Sequence, residues 1–489
     1  MKIQTTKSKV ISSLFWKLME RGGTQGIQFI VQIILARLLV PNDYGIVALI
    51  SIFIIIANVF VQSGFNTALI QKKDADEVDF SSIFYLSLLV ASLLYIVLFF
   101  TAPLVADFYN IHQITLVLRI LSITLFFGAF NSIQNAVVSR NMQFKLLFYS
   151  SLGAILMSGI VGIVLAYMGL GVWALVVQQL TNQFMITVIM WFTVKWRPKL
   201  IFSFKRVKGL FSYGWKLLVS SLIDNLYMNL QSLIIGKIYN PSMLGFYNRG
   251  DQFPKVIVSN INGSIQSVML PALASEQDNR KRIKDMVRRS IVTSSFVLFP
   301  MMCGLAVTAE PLVKILLTDK WLPCVPFLQI FCASYALWPI HTANLQAINA
   351  LGRSDIFLKL EVIKKIIGLT ILVISIHFGI YAIAIGTLVS GIISTFVNAY
   401  PNLKLLNYSY KEQLKDIMSS LLLSLIMGAV VYNLKWLHMM PLVTLVIQVS
   451  LGIIIYIILA KVFKLECYTY LLKTFKDIYK KKRDSKLKI

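Results

Sequence analysis

Five polar side chains share one face of an otherwise apolar segment near the start of the chain. They are Lys17, Arg21, Gln25, Gln28 and Gln32. Their spacing of i, i+4, i+8, i+11 and i+15 places all five along one side of an α-helix. The same spacing returns at an offset of 199 residues, in Lys216, Ser220, Asp224, Tyr227 and Gln231. Polar residues are costly in a membrane and tend to face a bundle interior or a wet cavity, so two such faces indicate a transport path.

The first face is cationic at one end and carries amides further along. Lys17 and Arg21 are like charges that repel on an isolated helix, so an anion such as a diphosphate or an acidic sugar would stabilise them. Gln25, Gln28 and Gln32 would line the deeper part of the same cavity. The same residues also fit a role without a cavity, in which the cations reach the headgroups of the inner leaflet and the glutamines bond to a neighbouring helix.

The second face and the helix after it supply the remaining candidates. Lys216 begins the second face and is expected in the cavity. Asp224 is an isolated acid inside a predicted span. It either titrates or binds a cation during transport, or it is a structural partner of Lys216 or of a distant arginine. Arg249 has no evident partner within its own helix and is a candidate anion ligand. Asp251 and Lys255 lie four residues apart, which predicts a local ion pair.

The composition indicates a polytopic membrane protein. Hydrophobic residues make up 57% of the 489 residues and charged residues 14%, and the mean hydropathy is +0.74; soluble proteins are less apolar. About 20 apolar residues suffice to cross the hydrocarbon layer as a helix. By this criterion we predict fourteen spans, at 14–38, 43–69, 80–104, 113–138, 147–167, 171–194, 210–237, 243–273, 288–316, 323–350, 356–377, 381–401, 417–434 and 440–461.

Lysine and arginine gather in alternate loops. The 195–208 loop, the 280–289 loop and both ends of the chain are basic, whereas the 39–43 and 377–381 loops contain neither residue. Positive loops stay on the cytoplasmic side, so this pattern predicts that both termini are cytoplasmic. The net charge of +26 is explained by this bias and by contacts with anionic membrane lipids, and we expect no nucleic acid partner.

The chain is duplicated internally. The segment 15–18 (FWKL) returns at 214–217 (GWKL), and the segment 171–174 (GVWA) returns at 379–382 (GIYA). Each repeat holds six spans, and an even number returns the chain to its starting side. The repeats should therefore share one orientation, as in parallel-repeat transporters, although channels and membrane enzymes are also duplicated. We predict a bundle over 1–199, a second bundle over 200–405, and two more helices with a basic interfacial tail over 406–489.

Signatures of catalysis and of cofactor binding are absent from the sequence. It contains no GxxxxGK[ST] motif, no HExxH motif and no pair of carboxylates on an exposed loop. The outer loops are too short to hold a catalytic domain. We therefore expect no enzyme, no catalytic residue, no metal site and no cofactor. The cysteines have no metal or redox spacing and are predicted to be free thiols: Cys303, Cys324, Cys332 and Cys467.

Several short strings resemble one transporter family. They are RLLVPNDYGIVA at 37–48, GFNTALIQ at 64–71, GVWALV at 171–176, WRP at 196–198 and GFYNR at 245–249. The chain resembles, over essentially its full length, the polysaccharide transporters of the multidrug/oligosaccharidyl-lipid/polysaccharide exporter superfamily. The colanic-acid and teichuronic-acid exporters, near the Wzx-type O-antigen flippases, are the most similar branch.

This resemblance implies an all-α fold with two six-helix bundles around a V-shaped cavity and two extra C-terminal helices. It implies flipping of undecaprenyl-diphosphate-linked oligosaccharide, the repeat unit of O-antigen, capsule or exopolysaccharide, across the bacterial cytoplasmic (inner) membrane by alternating access. In related lipid II flippases, cavity arginines on helices 1 and 8 are required, and Arg21 and Arg249 hold comparable positions. A further cavity arginine of those relatives has no counterpart between Asp43 and Leu69.

Functions besides flipping stay open at the level of the sequence. A multidrug cation antiporter of the same superfamily would bind lipophilic cations, which the basic face disfavours. A membrane glycan polymerase or ligase would need a large outer loop, and a scaffold for glycan synthesis would transport nothing. The expected partners are the lipid-linked oligosaccharide, membrane lipids, and the glycan polymerase and glycosyltransferases of the same assembly system.

Overall fold

The computed structural model describes residues 12, 16–17, 19–62, 64–72, 74–437, 439–470 and 472–473, without the side chains of Arg21, Phe65 and Tyr213. These residues form helices joined by short loops and contain no β-strand. A π-helical turn, Met19–Gly23, precedes the first α-helix. The α-helices are α1 (Thr24–Leu38), α2 (Pro41–Gln62), α3 (Phe65–Gln71), α4 (Glu77–Tyr109), α5 (Gln113–Leu121), α6 (Thr124–Arg140), α7 (Phe144–Tyr167), α8 (Val172–Thr193), α9 (Phe204–Ile238), α10 (Pro241–Ala274), α11 (Arg280–Val307), α12 (Ala309–Leu316), α13 (Val325–Ala336), α14 (Trp338–Ala350), α15 (Ser354–Ser375), α16 (Ile380–Leu406), α17 (Tyr410–Asn433) and α18 (Pro441–Val462).

The helical, multi-span architecture is the one that the sequence predicts. Within the described residues, 11 helical segments are long and apolar enough to cross a membrane, and each overlaps one predicted span. The three remaining predicted spans overlap α1, α9 and α15, which are shorter or more polar; α15 carries Glu361, Lys364 and Lys365. The number of fourteen therefore stays a prediction.

The predicted span over 288–316 is wrong. The span expected over 288–316 is two helices, because α11 ends at Val307 and α12 begins at Ala309. Pro311 explains the break, since a proline ring clashes with the carbonyl group four residues earlier, which here belongs to Val307. The predicted basic tail lies mostly beyond residue 473 and thus outside the described residues.

The chain divides into two compact units, Met1–Gly245 and Phe246–Ile489. The division falls within α10. Helix α9, which we expected to begin the second bundle, packs against α2, α3 and α4 inside the first unit. The predicted boundaries at 199 and 405 follow the internal duplication, which compactness does not measure, so they stay a prediction.

Small residues set the helix contacts of the first unit. A side chain on Gly159 of α7 would overlap Val31 of α1, and a side chain on Gly236 of α9 would overlap Leu49 of α2. Close approach of this kind is how helices associate in a membrane, where lipid removes most of the hydrophobic driving force. The contacts fix which face of α1 and α9 is buried and which is left for other uses.

Helix α11 contacts most of the other helices of the second unit. Apolar side chains of α11 and α14, among them Ile291, Phe299 and Ile340, form one buried cluster. Helices α17 and α18 correspond to the two extra C-terminal spans, and both pack against α11. A capping box begins α17, in which the Glu412 N–H donates to Ser409 Oγ at 3.2 Å and the Ser409 N–H donates to Glu412 Oε2 at 2.9 Å.

Candidate functional site

The cationic end of the first polar face has an acidic neighbour. Lys17 Nζ lies 3.0 Å from Glu20 Oε2, and its side chain is 48% exposed. The same ammonium lies 5.3 Å from the Phe144 ring centroid. The side chain of Arg21 is outside the described residues. Glu20 therefore partly balances the charge for which the sequence suggested an external anion, and its position three residues after Lys17 was the signal that could have revealed the pair.

The amide part of the first face is open. Gln28 is exposed and Gln25 and Gln32 are partly exposed, although Val31 and Leu35, three and seven residues after Gln28 and therefore next to it on the helix surface, are buried. Neither Gln28 nor Gln32 bonds to another group among the described residues. Both amides are thus available to a ligand or a neighbouring molecule, and their place in a cavity stays a prediction.

The second face, on α9, is more exposed than the first. Lys216, Ser220 and Asp224 are exposed, and Tyr227 and Gln231 are partly buried. Lys216 forms no ion pair with any described residue. Eight residues of helix separate it from Asp224, about 12 Å along the axis, which is too far for the local pair that the sequence left open. The structure places these five side chains on one helix, with the cation and the acid at separate levels.

Arg249 lies in a different environment, inside the second unit. It is 5% exposed, and its Nη1 donates to Gln252 Oε1 at 2.7 Å. The guanidinium carbon lies 5.1 Å from the ring centroid of Trp321, a side chain with no exposed surface. Cation–π contact and a charge-assisted hydrogen bond thus offset the cost of burial. The expectation that Arg249 has no partner within its own helix is therefore wrong, because Gln252 lies three residues later in α10. Trp321 was not predicted, because a contact between distant segments leaves no local pattern.

The predicted pair on α10 is confirmed. Lys255 Nζ lies 3.1 Å from Asp251 Oδ2. The other carboxylate oxygen of Asp251 accepts a hydrogen bond from Tyr335 Oη at 2.6 Å. These groups satisfy one another, so they hold α10 against α13 and carry no evident ligand function.

Buried amide side chains join helices of the second unit. Asn344 of α14 donates to Gln413 Oε1 of α17 at 3.0 Å, and Asn402 of α16 donates to Asn344 Oδ1 at 2.8 Å. All three side chains are buried. His341, one turn before Asn344, contacts Thr395 and Asn398 of α16. We call these six residues the buried amide layer of the second unit.

A charge cluster that the sequence analysis did not single out joins distant parts of the first unit. Lys72 Nζ lies 2.5 Å from Oδ2 of the buried Asp79, and Arg206 of α9 lies 3.2 Å from Asp76. The backbone N–H of Asp79 donates to the Asp76 carboxylate and, with the nearby Arg206, lowers its pKa below the usual range. The two lysines followed by four acidic residues at 72–79 were a signal, although not of the link between Asp76 and Arg206, which is 130 residues away.

Two clefts lie apart from the predicted cavity residues. One of about 740 Å³ in the first unit is lined by Lys72, Lys205 and Arg206. The other, of about 650 Å³ in the second unit, is lined by residues that include Arg288 and Glu466. None of the residues that we predicted for the cavity lines either cleft, so the substrate site stays a prediction.

The cysteines and the potential metal ligands bear on whether the protein has disulfides or a metal site. All four cysteines are free thiols, as predicted. No group of three or more His, Cys, Asp or Glu side chains that could hold a metal ion occurs among the described residues.

Comparison with known proteins places these features in a family context. The sequence profile of the family described as polysaccharide biosynthesis protein matches residues 34–326. Teichuronic acid biosynthesis protein TuaB of Bacillus subtilis is 25% identical over 304 residues, which cover 62% of this chain and 63% of TuaB. Lipopolysaccharide biosynthesis protein WzxC of Escherichia coli is 23% identical over 428 residues, 86% of each chain. Succinoglycan biosynthesis transport protein ExoT of Rhizobium meliloti is 21% identical over 363 residues, 74% of each chain.

Solved structures share the fold at low sequence identity. Lipid II flippase MurJ matches with a TM-score of 0.76 and 16% identity, covering 94% of this chain and 100% of MurJ. A multidrug resistance transporter of the MATE family matches with a TM-score of 0.60 and 15% identity, covering 79% of this chain and 96% of that transporter. The predicted all-α polytopic fold class is confirmed by these likenesses. The family profile covers more than half of the sequence, and the resemblance read from short strings at 37–48 and 171–176 agrees with it. The chain therefore belongs to the polysaccharide biosynthesis protein family.

Proposed function

We propose that the protein is a flippase that moves an undecaprenyl-diphosphate-linked oligosaccharide from the cytoplasmic to the outer leaflet of the bacterial inner membrane. The family membership over residues 34–326 is the observation that carries this proposal. TuaB, WzxC and ExoT are named for the biosynthesis or transport of three different polysaccharides, so the glycan class is supported while the individual glycan is not. The fold shared with MurJ, a flippase for lipid II by name, supports alternating access.

The two polar faces supply groups suited to such a cargo. A diphosphate needs cations, and Lys17 and Arg21, at the start of the first predicted span, would supply them on the cytoplasmic side. The partly exposed amides of Gln25, Gln28 and Gln32 offer hydrogen bonds to sugar hydroxyls further along the same helix. Amides both donate and accept, which suits glycans of varied structure.

The second face would continue the path on α9. The exposed Lys216 repeats the cationic end, and the exposed Asp224 adds an acid to the same helix face. Arg249 is enclosed by Gln252 and Trp321, so it would reach the diphosphate only after this contact opens. We therefore assign Lys17, Arg21 and Lys216 to initial binding, Arg249 to a later step, and Asp224 to coupling.

The multidrug antiporter is the second candidate, because the fold is shared with a multidrug transporter. The cationic residues Lys17, Arg21 and Lys216 repel a lipophilic cation, which favours an anionic cargo. We also propose that the protein catalyses no covalent step, and that its working partners are the glycosyltransferases that supply the cargo and a polymerase that consumes it. Both termini would face the cytoplasm.

Glycan export in cells tests the function. Deletion of the gene should stop surface display of the glycan and leave the lipid-linked oligosaccharide in the inner leaflet, and the wild-type gene should restore display. Lipid-linked oligosaccharide that reaches the outer leaflet at the normal rate after deletion would overturn the proposal.

The anion site needs a separate test in the complemented strain. Arg21→Ala and Arg249→Ala, each at wild-type protein levels, should reduce export by about tenfold or more, the effect of losing roughly 1.4 kcal/mol of binding or transition-state stabilisation. Lys404→Gln is a matched control, because Lys404 is exposed on α16 outside the proposed path. Export that stays normal in both arginine variants would contradict the assignment of the diphosphate site.

A further inference from the structure

The start of α9 is fixed beside α3 and α4 by polar and apolar contacts. Ser203, which precedes α9, donates its backbone N–H to Oγ of the buried Ser82 at 3.0 Å. Val207 and Leu210 join side chains of α3 and α4 in one buried apolar cluster. The cleft of about 740 Å³ in the first unit therefore has fixed walls, with the end of α3 on one side and the first two turns of α9 on the other.

The charged side chains that line this cleft are all cations. They are Lys72, which follows α3, and Lys205 and Arg206 of α9. The other lining residues are small, apolar or, in the case of Gln71, a neutral amide. No carboxylate is present among the described residues of the lining, so the cleft complements an anion.

Two of the three cations are held in place by acids outside the lining. Asp79, which has no exposed surface, lies 2.5 Å from Lys72 Nζ, and Asp76 lies 3.2 Å from Arg206. Both cations keep N–H groups for a ligand, because an ammonium donates three hydrogen bonds and a guanidinium five. Lys205 is exposed and forms no hydrogen bond or ion pair with any described residue. Its charge is thus available to a ligand in full.

The neighbouring surface of α9 shows where the cleft lies relative to the membrane. Phe204, Lys208, Phe211 and Trp215 are exposed, and their spacing of i, i+4, i+7 and i+11 places them on one helix face. Leu200, just before α9, is 94% exposed. Aromatic side chains, tryptophan in particular, concentrate where the hydrocarbon layer meets the headgroups. The start of α9, and the cleft beside it, therefore lie at the level of the lipid headgroups.

These features suit a phospholipid with an anionic headgroup. Basic pockets between helices at the cytoplasmic surface of a membrane bind such headgroups, and a cleft of this size is within the range of about 300–1,000 Å³ that holds small ligands. The diphosphate of the proposed cargo has similar chemistry. However, none of the residues that we assign to the transport path lines this cleft, which favours a resident lipid over the cargo.

We propose that the cleft between α3 and α9 binds an anionic phospholipid from the leaflet that we predict to be cytoplasmic. Lys205, Lys72 and Arg206 bind the phosphate, and the acyl chains lie along Phe204 and Phe211. The lipid contacts both walls of the cleft and so bridges α3 and α9. This inference adds a ligand site to the proposed function and does not depend on it, because lipid binding requires no transport.

Native mass spectrometry of the detergent-purified, full-length protein tests the site. Phosphatidylglycerol and phosphatidylcholine with identical acyl chains are titrated separately at equal salt. The wild type should bind its first phosphatidylglycerol molecule about fivefold or more tightly than phosphatidylcholine. Lys205→Gln removes the unpaired charge and should weaken phosphatidylglycerol binding by about fivefold, the effect of one lysine at an anionic surface.

Lys208→Gln is the matched control. Lys208 lies on the same turn of α9, is exposed and forms no ion pair with any described residue, but it does not line the cleft. Its loss should weaken binding by less than about twofold, since only the general attraction to an anionic surface changes. Equal losses in the two lysine variants, or no loss in Lys205→Gln, would overturn the inference.

Gly209 offers a second test that does not depend on Lys205. A side chain added at Gly209, which lines the cleft, would meet no other atom within 4 Å. Gly209→Glu places a carboxylate there and should weaken phosphatidylglycerol binding by about tenfold, whereas Gly209→Gln, of similar shape and without charge, should retain most of it. Equal binding by these two variants would contradict a phosphate site.

Competition separates the lipid from the cargo. Undecaprenyl diphosphate should displace the bound phosphatidylglycerol no better than an equal concentration of phosphatidylglycerol does. Displacement at a concentration about tenfold lower, lost in Lys205→Gln, would assign the cleft to the cargo and overturn the inference. Absence of flipping in proteoliposomes would contradict the proposed function alone, because the binding measurement involves no transport.

Discussion

The polar face of α9 and the buried amide layer of the second unit have comparable polarity in sequence but opposite environments. On α9, Lys216, Ser220 and Asp224 are exposed. In the amide layer, Asn344 and Asn402 have no exposed surface and bond to each other at 2.8 Å. A polar residue within a membrane span is therefore not evidence of a cavity until its partners are known.

The difference follows from how hydrogen bonds are satisfied. A buried amide without water must bond to another protein group. When one of the two partners is removed, the other stays buried without a hydrogen bond, and its full desolvation cost then lowers the stability of the fold. An exposed side chain is also hydrated by water, so its contribution to stability is small. Changes in the amide layer should therefore act first on stability, and changes on α9 should act on transport alone.

Loss of the central amide should have the largest effect on stability. Asn402→Ala removes the donor to the backbone oxygen and to Oδ1 of Asn344. Each orphaned buried acceptor costs about 1–3 kcal/mol, so we expect a fall in melting temperature of several degrees in detergent. Asn225→Ala on α9 is the matched control, because its amide bonds only within its own helix, to the Ser221 carbonyl oxygen. Equal melting temperatures for the two variants would remove the distinction between the two regions.

Arg249 is intermediate, since it is buried like the amides but proposed to bind cargo. Arg249→Gln removes the charge-assisted bond to Gln252 and the contact with Trp321, interactions worth about 1.5–3 kcal/mol and 0.5–2 kcal/mol respectively. We expect both a lower melting temperature and slower flipping. Thermal melting and proteoliposome flipping separate the two effects, and a destabilised protein with full flipping activity would limit Arg249 to a structural role.

The exposed face should respond in the opposite manner. Lys216→Gln and Asp224→Asn should change the free energy of unfolding by no more than about 0.5 kcal/mol, as is usual for exposed positions. Each should slow flipping by several-fold, because the face loses a charge proposed to bind or couple. A large loss of stability in either variant would mean that α9 is held by these groups, as the amide layer is.

The ion pair on α10 should have the smallest effect. Lys255→Gln breaks a pair in which the lysine side chain is 56% exposed, and such pairs contribute about 0–1 kcal/mol. We expect a melting temperature close to that of the wild type. Tyr335→Phe, which removes the partly buried partner of the same aspartate, should cost more. The reverse order would contradict the view that burial, not charge, sets the contribution.

The sequence predicted relations between residues of one helix better than it predicted contacts between different helices. Helical spacing gave the pair of Asp251 with Lys255, because that relation lies within one helix. It could not show that Asn344 meets Gln413, or that Trp321 covers Arg249, since these contacts join segments tens of residues apart. The cluster of Lys72, Asp79 and Arg206 was missed for the same reason.

Helical periodicity also could not predict where the chain divides into two compact units. Duplication places a boundary near residue 199, whereas compactness groups α9 with the first unit up to Gly245. The contacts of Gly236 with Leu49 and of Gly45 with Pro241 produce that grouping. They depend on the absence of a side chain at positions that have no distinctive local pattern.

Flipping of a labelled undecaprenyl-diphosphate oligosaccharide by purified protein in proteoliposomes tests the central claim most directly. We expect the headgroup to become accessible to an external reagent at least about tenfold faster than in protein-free vesicles. The folded Lys216→Gln/Asp224→Asn double variant should remain near the protein-free rate. A wild-type protein that flips no faster than empty vesicles, or a double variant that flips at the wild-type rate, would contradict the account.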